Sequence, residues 1–224
     1  KPRLNVINVE EGDTRARHYS IAFDIGTTGV RGQLLDLNRG KVLAQGIDYN
    51  GQISYGEDVI SRIAYSQKPD GLKKLGRAVI DTINGLLREL TKQAGVEVKD
   101  ISHMVTSGNT IMVQLMLGLD PKYIRLSPYV PTINMAPLIK ASSLGIKLAE
   151  HVHLYTLPSV ASYVGGDIVA GVLGAGIYQR KTVTLHIDIG TNGEIVIGNS
   201  DFMVTASCSA GPAFEGGGIK HGMI

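Results

Sequence analysis

Asp24-Ile25-Gly26-Thr27-Thr28-Gly29 recurs with one change of substance as Asp188-Ile189-Gly190-Thr191-Asn192-Gly193, 164 positions further on (from 24 to 188). Each copy follows an apolar β-type run, Ile21-Ala22-Phe23 in the first and Val183-Thr184-Leu185-His186-Ile187 in the second. Each leads into another strand-like run. The motif reads as a strand, a tight glycine turn and a returning strand. Such a turn offers backbone N–H groups and threonine hydroxyls, which suit phosphate oxygens. The leading carboxylate can hold Mg²⁺ through its waters. Two such turns facing each other would grip one nucleoside triphosphate from both sides.

The bulk properties narrow the classes. The chain has 224 residues, enough for one large domain or two small ones. Its 43% hydrophobic and 19% charged residues are those of a packed globular protein. A net charge of +2 makes no electrostatic case for nucleic acid or an anionic membrane as partner. One cysteine, Cys208, excludes a disulfide framework and a four-thiolate iron–sulfur cluster within this chain, and fits a reducing, cytoplasmic setting. No signal peptide is visible. The least polar long stretch, residues 161–178, is rich in glycine and broken by Asp167, and reads as a buried helix rather than a membrane span.

Periodicity sets out the order of elements. Residues 19–24, 30–37 and 41–47 read as a strand meander, with Asn38-Arg39-Gly40 as a turn. Residues 48–56 read as a loop and 57–66 as a short helix. A long amphipathic helix follows Asp70, its expected N-cap, with Leu72, Leu75, Val79, Ile83, Leu86 and Leu90 at helical spacing and Gly95 at its end. Residues 101–106 read as a strand and 109–117 as a short helix. Residues 118–150, with four prolines, read as an irregular insertion. A strand over 152–156 and a helix over 159–178 follow. The strand pattern then restarts at 183–189, 193–198 and 202–206. Alternation after a meander implies a mixed sheet with helices on its faces. The expected organisation is a polar lead-in over 1–18, a first lobe over 19–180 and the beginning of a second, related lobe over 181–224. The start at Lys1 and the stop at Ile224 after a glycine-rich turn are those expected of a piece of a longer protein.

The duplicated Asp-Ile-Gly-Thr turn resembles the superfamily of sugar kinases, heat-shock chaperone ATPases and actin, whose two ribonuclease H-like lobes close on ATP. That resemblance implies an α/β, actin-like ATPase fold. It makes Asp24–Gly29 the first phosphate motif, Asp188–Glu194 the second, and the helix after Pro158 the connector of the lobes. Longer strings narrow the match: Tyr55-Gly56-Glu57-Asp58-Val59-Ile60-Ser61-Arg62, Ser107-Gly108-Asn109-Thr110, and Ser209-Ala210-Gly211-Pro212-Ala213-Phe214-Glu215-Gly216-Gly217. With them the chain looks like the reductive activators of corrinoid proteins from about residue 19 to its end. Those are multidomain iron–sulfur ATPases that return an oxidised Co(II) corrinoid on a methyl-transfer partner to Co(I). The resemblance implies ATP and Mg²⁺ as cofactors, a corrinoid iron–sulfur protein as partner, and electrons delivered through a separate iron–sulfur domain. Two departures stand out. That iron–sulfur domain is not in this chain. Leu157 also stands where chaperone-type members place a Glu before the proline.

Each candidate has a plainer reading. Asp24 and Asp188 could be turn formers; occurring in matched contexts, they are assigned to catalysis and to water-mediated Mg²⁺ binding. Gly26, Thr27, Thr28, Gly190, Thr191 and Asn192 are assigned to phosphate, against strand filler for the threonines. Asn109 either caps the following helix or faces the cleft. Glu194 is either a surface acid or a cleft residue. Asp167, in an otherwise apolar and glycine-rich helix, must be solvated at the cleft or paired, and is assigned a catalytic place. Gly211, Gly216 and Gly217 serve tight turns or a close backbone approach to nucleotide. His151 and His153 lack a third ligand. Gly71–Gly76 mimics P-loop spacing, but Arg77 follows and the segment is an amphipathic helix. Two other functions fit the same fold, a small-molecule kinase and a non-catalytic actin-like nucleotide-binding module.

Overall fold

The computed structural model describes residues 6–209. A six-stranded mixed sheet is built from β1 (Tyr19–Ile25), β2 (Gly29–Asp36), β3 (Lys41–Tyr49), β4 (Ile101–Gly108), β5 (Ile139–Lys140) and β6 (His153–Thr156), in the order β3-β2-β1-β4-β6-β5. β1, β2 and β3 form the antiparallel meander, while β1, β4 and β6 run parallel. Strand alternation divides β1 between two environments. Ile21, Phe23 and Ile25 are buried in the main core, while Ala22 and Asp24 face the other way. α2 (Gly71–Ala94) covers the core face with Leu75, Val79, Ile83, Leu86 and Leu90, all inaccessible or nearly so. α1 (Val59–Ser66) and α3 (Thr110–Met116) complete that layer.

The caps show where local signals succeeded. α1 starts one residue after Asp58, whose carboxylate accepts the Ser61 N–H at 2.7 Å in a capping box with the Ser61 hydroxyl. Gly95 closes α2. Asp70 does occupy the position before α2, but in the left-handed region with φ 57° and no side-chain capping bond. The loop expected over 48–56 contains a 3-10 turn, Gly51–Tyr55, capped by Asn50. The 118–150 stretch is irregular as expected, yet tied down: Asn84 donates to the Gly145 carbonyl at 3.0 Å and accepts from the Lys147 N–H at 2.8 Å.

The helix expected over 159–178 is shorter. α4 spans Gly166–Ala175, followed by a 3-10 turn at Ile177–Gln179. Before it the chain folds back on itself, with the N–H groups of Val160 and Ala161 both donating to the Val164 carbonyl. Tertiary bonds hold this turn: the Thr110 hydroxyl donates to the Ala161 carbonyl at 2.8 Å, and the Ser162 hydroxyl to that of Tyr129. These contacts outweigh the helical pattern of the sequence.

A second sheet repeats the opening of the first. β7 (Thr184–Ile189), β8 (Asn192–Gly198) and β9 (Met203–Ser209) form an antiparallel meander in that order. Val196 on β8 packs with Val164, Ile168 and Val172, which joins this sheet to α4. On its other face Leu185, Ile187, Ile189, Ile195 and Ile197 are exposed, and no described element covers them. Among the described residues no helix is long and apolar enough to cross a membrane.

α4 enters against the end of β4 through Gly165. A Cβ there would lie 2.4 Å from the Gly108 carbonyl oxygen and 2.7 Å from the Asn109 Cα. The φ of −91° is open to any residue, so the obstacle is contact alone. Gly165→Ala should therefore destabilise the chain by about 1–3 kcal/mol through overpacking against backbone. Urea unfolding measures this, and an unchanged midpoint would show that the approach is looser than described.

Candidate functional site

The two glycine turns face one cavity. From the first lobe come Asp24 at the end of β1, then Gly26 and Thr27. From the second sheet come Asp188 at the end of β7, then Gly190, Thr191 and Asn192. The N-terminus of α3 contributes Asn109, that of α4 Asp167, and β8 Glu194. Alternation explains the aim of the acids. Ile21, Phe23 and Ile25 are committed to the core, which turns Asp24 to the opposite face. Ile187 and Ile189 lie on the exposed face of the second sheet, which turns Asp188 toward α4, and Glu194 is its direct cross-strand partner.

Gly26 belongs to the turn itself: its N–H donates to the Gly29 carbonyl at 2.9 Å, and a Cβ would lie 2.8 Å from that oxygen. Thr27 and Thr191 are buried. Thr28 is not among the lining residues; its carbonyl accepts from the Asn50 N–H at 2.9 Å. Asn109 does both things proposed for it, capping α3 through the Ile111 N–H at 3.0 Å and lining the cavity. Gly211, Gly216 and Gly217 lie outside the described residues. His153 opens β6 and His151 lies in the turn before it; neither lines this cavity, and the ring of His153 is bonded to the His151 carbonyl at 2.9 Å.

Among the described residues, four carboxyl groups thus share a space whose lining holds no Lys or Arg. Asp24 accepts from the Ser107 hydroxyl at 2.9 Å, yet burial raises its pKa, with Asp188 adding to the rise. Asp167 accepts the Ile168 N–H at 2.8 Å, but burial, and then Asp24 and Asp188, push it up to about 6. Burial and then Asp167 raise Glu194 to about 7, despite the Ser207 hydroxyl at 3.2 Å. Desolvation and like charge both oppose ionisation of Asp24, Asp167 and Glu194, and a divalent cation would favour their charged forms. Among the described residues no three His, Cys, Asp or Glu side chains lie close enough together to ligate a metal directly. The donor set therefore fits a Mg²⁺ ion held through its own waters, as such ions often are.

The family description "RACo middle region" matches residues 19–180, and "C-terminal domain of RACo the ASKHA domain" matches residues 182–224. The chain belongs to the RACo family. A solved structure named reductive activator for corrinoid, iron-sulfur protein is 51% identical, with a TM-score of 0.92 over 97% of this chain and 35% of that one. The corrinoid activation enzyme RamQ of Eubacterium limosum is 39% identical over 206 residues, 92% of this chain and 34% of RamQ. The reductase of the Co(II) methylated-amine-specific corrinoid protein of Methanosarcina barkeri is 26% identical over 92% of this chain and 39% of its own length. This RACo chain thus spans little more than a third of the curated relatives it matches. The resemblance read from the motifs and the actin-like α/β fold are both borne out.

Sequence reasoning assigned no role to three groups that act here. Ser107, inside a quoted string, bonds Asp24. Ser207 bonds Glu194 from β9. Arg62 lies behind the first turn and donates to the Thr27 carbonyl. Only Arg62 had a signal, as an arginine on the apolar face of α1 beside Val59 and Ile63.

The raised carboxyl groups give a signed pH effect. Glu194 ionises near 4.5 in the unfolded chain but near 7 in the fold. Its stabilising share is complete below about 4.5 and is lost as the pH climbs through 7. The thermal midpoint of the chain without metal should fall between pH 5 and 8, and Glu194→Gln should flatten that slope. A variant with the wild-type slope would place the proton uptake elsewhere.

Proposed function

We propose that this chain is the nucleotide-binding portion of a cytoplasmic ATPase that reductively reactivates Co(II) corrinoid on a methyl-transfer corrinoid protein to Co(I). The observation that carries the reading is the meeting of both Asp-Ile-Gly-Thr turns at one cavity, with Asp167 and Glu194 between them. The names of the relatives, all acting on corrinoid proteins, supply the reaction. Residues 19–180 form one complete lobe and the stretch after them begins a second. The uncovered apolar face of the second sheet supports that division, since five exposed aliphatic side chains there call for further packing.

In this reading Gly26, Thr27, Gly190 and Thr191 direct donors at the phosphate oxygens, and Thr28 steadies the first turn. Mg²⁺, when bound, supplies charge for the phosphates. Asp188 and Asp24 orient its waters from opposite walls, and Asp167 and Glu194 hold the surrounding negative field that favours a cation. Asn109 fixes the floor where α3 begins. Nucleotide bound between the lobes favours one arrangement of them, and turnover releases it; a bound corrinoid protein that prefers one arrangement is thereby biased. Electrons reach the cobalt through an iron–sulfur domain outside this chain.

Asp188→Asn in the full-length protein keeps size and most hydrogen bonding but removes the charge that orients metal-bound water. ATP hydrolysis should fall about 10²–10³-fold with folding barely changed. Co(I) formation on the partner should fall with it, while His153→Gln leaves both near wild type. Phosphate release and the corrinoid spectrum, followed in parallel, decide. Normal hydrolysis by Asp188→Asn refutes the site, and reactivation that persists without hydrolysis refutes the coupling.

A further inference from the structure

Three consecutive carbonyl oxygens of the first turn are each taken from behind. Asn50 Nδ2 donates to the Gly26 carbonyl at 2.8 Å, Arg62 Nη2 to that of Thr27 at 2.6 Å, and the Asn50 N–H to that of Thr28 at 2.9 Å. The donors brace one another. The Gln52 N–H donates to Asn50 Oδ1 at 3.0 Å, and Asn50 Nδ2 also reaches Gln52 Oε1 at 3.2 Å. Gln52 Nε2 donates to the Leu75 carbonyl of α2 at 3.0 Å, and Arg62 Nε to that of Gly56 at 2.9 Å. Asn50, Gln52 and Arg62 are each 0% exposed.

A fully buried arginine ordinarily carries a carboxylate partner. Arg62 has none within ion-pair distance among the described residues, and its donors go to carbonyls, Gln52 and the Met112 sulfur. Burial lowers its pKa to about 10, so it stays charged at neutral pH. A buried cation without a counter-ion, one peptide behind a cavity lining, is costly for stability alone. It is well placed to act on what enters the cavity.

We propose that Arg62, linked to Asn50 through Gln52, is together with Asn50 a positioning residue for the first phosphate turn. Asn50 ties the carbonyls of Gly26 and Thr28 into the lobe and Arg62 that of Thr27, so that none faces an anion, and Arg62 sets a positive charge behind Thr27. The inference rests on the reading that this turn receives nucleotide phosphates. A carbonyl turned toward a phosphate would oppose it with like partial charge, and a rigid, pre-oriented turn avoids reorganisation when the anion arrives. Gly26 and Thr27 line the cavity, while their carbonyls are tied on the opposite side.

The test uses the full-length protein with Asn50→Asp, Arg62→Lys and Arg62→Met. Asn50→Asp preserves size but replaces the donor to Gly26 with an acceptor, and it carries the test where an Arg62 variant fails to fold. Binding of Mg·ATP and of adenosine is measured by calorimetry, and amide exchange is followed over residues 26–29. Loss of one buried, charge-assisted bond is worth about tenfold or more in affinity. Asn50→Asp and Arg62→Met should weaken Mg·ATP at least about tenfold, with adenosine within about twofold and faster exchange at the turn. Arg62→Lys should fall between them and wild type, because one ammonium keeps the charge without the fork of donors. Unchanged Mg·ATP binding, or equal loss for adenosine, overturns the positioning role while the nucleotide reading stands. A wild-type protein that binds no Mg·ATP overturns the reading and this inference with it.

Discussion

Among the described residues, four carboxyl groups and no basic side chain line one cavity, and much of the surrounding structure follows from keeping them there. Desolvation penalises the charges of Asp24, Asp167 and Glu194, and neighbouring carboxylates add to the penalty. Asp167 and Glu194 accordingly hold protons to about 6 and 7. The hydroxyls of Ser107 and Ser207 and the Ile168 N–H offset part of this cost, but none is a counter-ion. In the proposed reading a divalent cation entering the cleft would offset that repulsion. With no close ligand triad among the described residues, it would be held through its waters.

The fold delivers those acids by two simple devices. The first is the two-residue alternation of a strand, which sends Ile21, Phe23 and Ile25 into the core and Asp24 away from it. The same device separates Ile187 and Ile189 from Asp188 on the second sheet. The second is close backbone approach at Gly165, which lets α4 start against the end of β4 and brings Asp167 to the cavity that the two glycine turns line. Behind the first turn the Asn50–Gln52–Arg62 network holds the backbone in shape. The tight turn is thus supported from the core side and left open on the cavity side.

Much of this was legible in the residues. The repeat at 24 and 188 announced two related strand–turn–strand units, since glycine after a strand-ending Asp-Ile favours a tight turn in both places. The turns differ in detail: the Gly26 N–H donates to the Gly29 carbonyl three residues on, and the Gly190 N–H to the Asn192 carbonyl two residues on, each at 2.9 Å. Periodicity located α2, because its apolar face is long enough to dominate any competing signal. The helix over 159–178 was over-read for the opposite reason. Its apolar, small residues carry a weak pattern, and side-chain bonds from Thr110 and Ser162 decided where α4 begins. Asp70 was misjudged as a capping side chain because a left-handed backbone at that position turns it away from the helix.

What the sequence determined by itself is the set of local events: glycine turns where φ or contact demands them, strand and helix periods, and acids at fixed offsets from those turns. Those depend on neighbours within a few residues, and the chain encodes them directly. Only the tertiary structure decided that Asn109 serves both α3 and the cavity, that Thr28 is not among the lining residues, and that Arg62 lies beneath Thr27, 35 residues apart in the chain. Such pairings arise because burying the aliphatic faces of β1, α1 and α2 leaves one arrangement of the polar groups between them. In that arrangement Asn50, Gln52 and Arg62 each donate to a backbone carbonyl, of Gly26, Leu75 and Thr27 respectively.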